Sequence, residues 1–293
     1  MTTRRAFLKT TSVATAGLLM APQLFAAAQT RYIGVQLYTV RDLMAKDPLA
    51  TLGKVAKIGF NSVEGATYTG TQKFYGMDTV TFKKALKDNG LHMFSGHYML
   101  GEATPDTKGT ISNNWQKAVD DAAAVGLKYM VCAYLLDTER GNLDHYKQTA
   151  DKLNKAGEVA KKAGIQLCYH NHNFEFEAQD GKLPYDILLS NTDAGLVKME
   201  MDIYWMYKAK QDPIAWFNKH PGRFPLWHVK DMDNTPKQFF TEVGNGVIPF
   251  KDVFAHAKQA GLKYFFNEQD VTPGDPLESI TQSYQYIKKN LWI

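Results

Sequence analysis

A chain of 293 residues is long enough for one large domain, and 44% hydrophobic against 22% charged residues excludes a disordered protein. The net charge of +4 is partly local: residues 1–28 carry Arg4, Arg5 and Lys9 and no acid, so the remainder sets 31 bases against 30 acids. A near-neutral body without a Lys/Arg run argues against a nucleic-acid partner.

The first residues read as an address. Thr3-Arg4-Arg5-Ala6-Phe7-Leu8-Lys9 is a twin-arginine head, an apolar stretch runs from Val13 to Leu19, and Ala26-Ala27-Ala28 offers a small-residue cleavage site. The pattern resembles a Tat signal peptide. The resemblance implies export of a folded protein to the periplasm, with residues 1–28 removed and 29–293 as the working domain. The apolar run is shorter than the roughly 20 residues of a membrane span, so no stable membrane association is expected after cleavage.

Beyond this segment, eight short runs rich in Val, Ile, Phe and Tyr read as buried strands: 33–38, 61–64, 92–96, 129–133, 166–170, 197–202, 225–229 and 264–268. Amphipathic patterns over 48–57, 80–89, 111–125, 143–163, 185–190, 213–220, 250–260 and 276–290 predict the helices between and after them. Gly59, Gly90, Gly126, Gly164 and Gly261 each separate an amphipathic run from an apolar one, as left-handed helix caps do. Strand–helix alternation repeated eight times predicts a single closed α/β barrel, the (β/α)8 TIM barrel. An open doubly wound sheet would want a glycine-rich phosphate turn after its first strand, and Gln36-Leu37-Tyr38-Thr39-Val40 is not one. The longest loops fall at 98–112 and 231–248. Cys132 and Cys168 lie inside apolar runs and predict two buried free thiols.

In such a barrel, chemistry gathers where strands end. Those ends read Gln36 and Tyr38, Glu64, His97, Tyr134, His170 and His172, Asp202, His228 with Lys230 and Asp231, and Glu268 with Gln269 and Asp270. His170 and His172 share a face of their strand, and either one supplies a donor nitrogen. With Asp202, His228 and Glu268 it makes a mixed nitrogen and oxygen set suited to one divalent ion (Mn²⁺, Mg²⁺, Co²⁺ or Zn²⁺). Such an ion polarises a carbonyl and acidifies the neighbouring C–H, and a carboxylate or lysine at the rim moves the proton. Trp205 and Tyr98 are candidate stacking faces for a sugar.

The chain resembles the xylose-isomerase-like barrel superfamily, the sugar phosphate isomerase/epimerase group. The resemblance rests on Gly34 to Tyr38, Gly59 to Glu64, Gly164 to Glu175, Met201 to Trp205, His228 to Asp231 and Glu268 to Asp270. It implies a metal held by His170, Asp202, His228 and Glu268. It also implies Glu268 as the proton-abstracting base, with Lys230, Glu175 or Glu64 as the second acid/base group. Gln36, Glu64, His97, His172 and Trp205 are the expected substrate contacts.

Two departures matter. Ketose 3-epimerases of this superfamily carry Glu where this chain has His170, and His where it has Trp205. The His170-x-His172 form and Glu268-Gln269-Asp270 resemble inosose dehydratases more closely. The expectation is therefore a metal-dependent isomerase or epimerase acting on a ketose or keto-sugar by enolisation. A lyase or dehydratase on a keto-sugar, keto-glycoside or inosose is the alternative. A non-catalytic periplasmic sugar-binding protein is the rival from another class. A barrel endonuclease would want more metal ligands and a basic face. The expected partner is a small sugar, and a homo-oligomer is compatible with the sequence.

Overall fold

The computed structural model describes residues 32–291, so the signal-like segment and its cleavage site lie outside the described residues. Eight parallel strands close into a barrel. They are β1 (Gly34–Gln36), β2 (Ser62–Gly65), β3 (His92–Tyr98), β4 (Tyr129–Cys132), β5 (Gln166–His170), β6 (Val197–Asp202), β7 (Leu226–Val229) and β8 (Tyr264–Asn267). Each strand pairs with its neighbours in sequence, and β1 closes the ring: Gly34 lies opposite Ser62 of β2 and Phe266 of β8. The expected (β/α)8 barrel is the observed one.

The floor of the site is apolar. Val131, Cys168, Leu226 and Phe266 are fully buried and form one cluster inside the barrel. Gly34 makes room for this floor, since a Cβ there would stand 2.4 Å from the Phe266 ring. Two residues further along β5, β7 and β8, on the same face, come His170, His228 and Glu268. The intervening residues Tyr169, Trp227 and Asn267 point outward, where Tyr169 and Trp227 join the large core under the helices. Alternation along the strands thus lifts ligand-type side chains to one level above an apolar plug. Both cysteines are buried and free, as expected.

Local hydrogen bonds explain where elements depart from the sequence pattern. The first strand stops at Gln36 rather than Tyr38 because the Gln36 side chain accepts from the Tyr38 amide at 3.2 Å and turns the chain into a 3₁₀ turn. The helix expected from 111 begins at Trp115, because the amides of Gly109 and Thr110 close a turn on the Asn113 carbonyl. The expected 250–260 helix breaks at His256 into Phe250–Ala255 and Ala257–Ala260. A helix over Ile203–Lys208, missed in the sequence, starts at once after β6 because the Asp202 carboxylate caps the Trp205 amide at 3.1 Å.

The long 231–248 loop has an internal frame. Its first residue, Asp231, is 1% exposed, and its carboxylate accepts from the amides of Met232, Gly244, Gly246 and Ile248 at 2.8, 2.9, 3.1 and 3.2 Å. Asp231–Met232 also pairs antiparallel with Phe240–Thr241. Among the described residues, no helix is long and apolar enough to cross a membrane.

Candidate active site

A cavity of about 730 Å³ opens at the carboxyl ends of the strands. His97, His170, His172, Trp205, Lys230 and Glu268 line it. Gln36 and Glu64 lie behind this surface at 0% exposure, and the Gln36 amide donates to Glu64 Oε2 at 2.9 Å. Glu175 is equally buried and outside the cavity lining. Its carboxylate accepts from the Tyr169 hydroxyl at 2.7 Å and the His172 amide at 2.8 Å, and so holds the turn after β5. Asp231 is likewise spent on its own loop.

Two layers of ionisable groups meet below the cavity. In the upper layer the Lys230 ammonium lies 2.9 Å from Asp202, 2.6 Å from Glu268 and 2.7 Å from Asp270. His228 Nδ1 is 2.7 Å from Glu268 Oε2, and His170 Nε2 is 3.4 Å from Asp202 Oδ2. In the lower layer His228 Nε2 meets Glu64 Oε2 at 2.6 Å. His97 Nε2 and His170 Nδ1 meet Glu200 Oε2 at 2.8 and 3.0 Å. Glu200 was absent from the expected set. The signal was present: it stands two residues before Asp202 on β6, hence on the same face. Arg140 was also missed; it lines the cavity mouth with its guanidinium 3.8 Å from the centre of the Phe174 ring.

Burial and charge set the protonation states. Burial raises the Glu268 carboxyl, but the Lys230 and His228 charges outweigh it and hold the group well below the carboxylate range. Burial lowers the Lys230 ammonium, but Asp202, Asp270 and Glu268 carry it well above the usual lysine value. Burial likewise disfavours charge on His228, and the surrounding carboxylates of Glu200, Glu268 and Glu64 reverse this and raise it. His97 and His170 are pushed down by burial to about 4 and about 3. Glu268 is therefore ionised at neutral pH and Lys230 protonated, a proton acceptor beside a proton donor.

Burial also pushes Glu175 up to about 7, against the hydrogen bond from Tyr169. The folded chain thus holds this proton more tightly than the unfolded one. The benefit is complete below the ordinary carboxyl value of 4.5 and is lost as pH rises to about 7. Glu175→Gln should flatten that stretch of the stability–pH curve. Urea unfolding should show wild type losing up to about 3 kcal/mol relative to the variant across it. Parallel curves for the two proteins would rule the assignment out.

The donor set fits one divalent cation. The atoms facing each other in the upper layer are Asp202 Oδ2, His228 Nδ1 and Glu268 Oε2, mutually within 4.8 Å, with His170 Nε2 adjoining. Glu64, Glu200, Asp202 and Glu268 are all buried, beside Lys230 and His228. Glu64 Oε1 and Glu200 Oε1 are buried and accept no hydrogen bond. Buried carboxyl oxygens without a hydrogen-bond donor are groups that a bound cation would satisfy. A second overlapping group, His97, His170, Glu200 and His228, offers donors on the lower side.

Residues 52–290 match a family model described as the xylose isomerase-like TIM barrel. An inosose dehydratase of Clostridium beijerinckii is 28% identical over 167 residues, which is 50% of this chain and 55% of that protein. The chain spans about half the length of most curated relatives it matches. A solved structure from Parabacteroides distasonis, described as a sugar phosphate isomerase/epimerase, is 28% identical with a TM-score of 0.76, covering 90% of this chain and 96% of that one. The IOLI protein, solved with a bound zinc atom, shares the fold at a TM-score of 0.70 and 14% identity, over 90% of this chain and all of that one.

Proposed function

We propose that this chain, which belongs to the xylose isomerase-like TIM barrel family, is an enzyme that enolises a keto-sugar and so works as an isomerase or epimerase. The observation that carries the reading is the pairing at the cavity wall: an ionised Glu268 in contact with a protonated Lys230, at 2.6 Å. Glu268 takes the proton from the carbon beside the substrate carbonyl, and Lys230 returns one. His170, Asp202, His228 and Glu268 would hold the divalent ion, which when bound supplies charge stabilisation at the carbonyl oxygen. His97, His172 and Trp205, which also line the cavity, contact the substrate. The folded domain is proposed as a periplasmic protein exported by its Tat-type leader.

A second reading, loss of water or another β-substituent after the same proton abstraction, is favoured by one position. A two-carboxylate epimerisation wants an acid at the end of β5, and this chain has His170 there. The inosose dehydratase relatives point the same way. Incubation of the enzyme in deuterium oxide with a panel of ketoses, keto-glycosides and inososes decides. Deuterium in a recovered or epimeric sugar supports the first reading, and an unsaturated or dehydrated product supports the second. No exchange from any of them would leave a binding protein.

The metal reading has its own test. Asp202→Ala and His228→Ala should each take the purified protein from about one bound divalent ion per chain to almost none, with an unchanged far-UV circular dichroism spectrum. Full metal content by elemental analysis in both variants would rule out this donor set.

A further inference from the structure

Three imidazoles of the site converge on a single oxygen. His97 Nε2, His170 Nδ1 and His228 Nε2 lie 2.8, 3.0 and 3.3 Å from Glu200 Oε2. Glu200 itself is 0% exposed and takes no part in the cavity lining, so it does not reach a substrate. A carboxylate oxygen accepts from a ring N–H, so the hydrogen bonds at Glu200 Oε2 direct the ring protons of His97 to Nε2 and of His170 to Nδ1. For His170, a neutral ring protonated on Nδ1 has its lone pair on Nε2, the atom aimed at Asp202 Oδ2 from 3.4 Å. His228 is held differently: its inward Nε2 hydrogen-bonds Glu64 Oε2 at 2.6 Å, with Glu200 Oε2 further off at 3.3 Å, and its outward Nδ1 is the atom aimed at Glu268.

We propose that Glu200 is a positioning residue whose one oxygen fixes the ring plane and tautomer of His170, so that this imidazole presents its outward nitrogen to the cation seat with Asp202, His228 and Glu268. The inference rests on the metal reading above. Histidine ligands commonly owe their tautomer to a carboxylate on the other ring nitrogen. Here one carboxylate oxygen serves a ligand imidazole, His170, and the neighbouring cavity-lining imidazole of His97. The resemblance that supplied the ligand set does not include Glu200.

Two measurements test this. In the first, metal-stripped wild type and Glu200→Gln compete for Zn²⁺ against a chromophoric chelator. The variant should bind about 10- to 100-fold more weakly with its far-UV circular dichroism unchanged. Equal affinity would overturn the role of Glu200 while leaving the ligand set intact. If wild type took up no Zn²⁺, the metal reading would fail, and the inference with it. In the second, nitrogen-15 spectra of the metal-free wild type at pH 7 locate the His170 ring proton. Placement on Nδ1 supports the assignment, also where Glu200→Gln fails to fold; placement on Nε2 overturns it.

Discussion

Glu268→Gln is expected to slow deuterium exchange into a keto-sugar substrate by about 10²- to 10⁴-fold. The amide preserves the shape of the side chain and removes its basicity. Glu268 also contacts His228 Nδ1 at 2.7 Å and belongs to the donor set, so exchange alone is ambiguous. Metal content resolves the ambiguity. Slow exchange with metal retained identifies Glu268 as the base. Slow exchange with metal lost identifies it first as a ligand. Undiminished exchange with metal in place would remove Glu268 from proton transfer and pass the role to another group at the cavity wall.

Lys230→Met is the second large expected effect. The ammonium is 2% exposed and within 2.9 Å of each of three carboxylates. Methionine fills much of the same space and leaves those charges without their cation. Removing one partner of a buried ion pair typically costs about 3–5 kcal/mol. Urea unfolding of the metal-free variant at pH 7 should show a loss of that order. Its direction with pH follows from the sign of the shifts. Without Lys230 the carboxyls of Glu268 and Asp270 rise, protonate more readily in the folded state, and the deficit shrinks as pH falls. Asp270 shows the tendency even with the lysine present, since burial pushes it up to about 6. A divalent ion should narrow the deficit too, because it restores positive charge to Asp202 and Glu268. A variant as stable as wild type at pH 7 without metal would mean that these carboxylates are not jointly charged.

Much of the fold was legible because the barrel repeats one device. Five of the eight strands, β2, β3, β4, β5 and β8, are short apolar runs after a glycine that ends an amphipathic segment, and β5 and β6 fall on the expected 166–170 and 197–202. Boundaries slipped where a side chain competes with the backbone, as Gln36 does at the end of β1 and Asp202 at the start of Ile203–Lys208. Within the site, residues at strand ends were visible and residues inside strands were not. Glu200 sits one step below Asp202 and reads, in the run Val197 to Asp202, as a polar interruption of a hydrophobic strand. Glu175 shows the converse. It follows a histidine motif at a strand end and invites a catalytic role, but the turn over Asn171–Phe174 carries it behind the wall, to Tyr169 and the His172 amide. Nothing in residue type or spacing distinguishes a carboxylate that faces a cavity from one that ties down its own loop.

That last distinction has a bearing on where this protein tolerates change in length. Asp231 clamps the amides of Gly244, Gly246 and Ile248, and a Cβ on Gly246 would lie 2.2 Å from the Met232 carbonyl. The two ends of the excursion are therefore joined to one another as firmly as strands are. Its far end, around 233–239, has a second tie: the Asp233 carboxylate accepts from the Thr235 and Phe239 amides, and the Tyr204 hydroxyl and Lys208 ammonium donate to the Gln238 carbonyl. A single-residue change in length at 243–248 would pull the Asp231 clamp apart, and one at 233–239 would break the ties to the Ile203–Lys208 helix, which carries the cavity-lining Trp205.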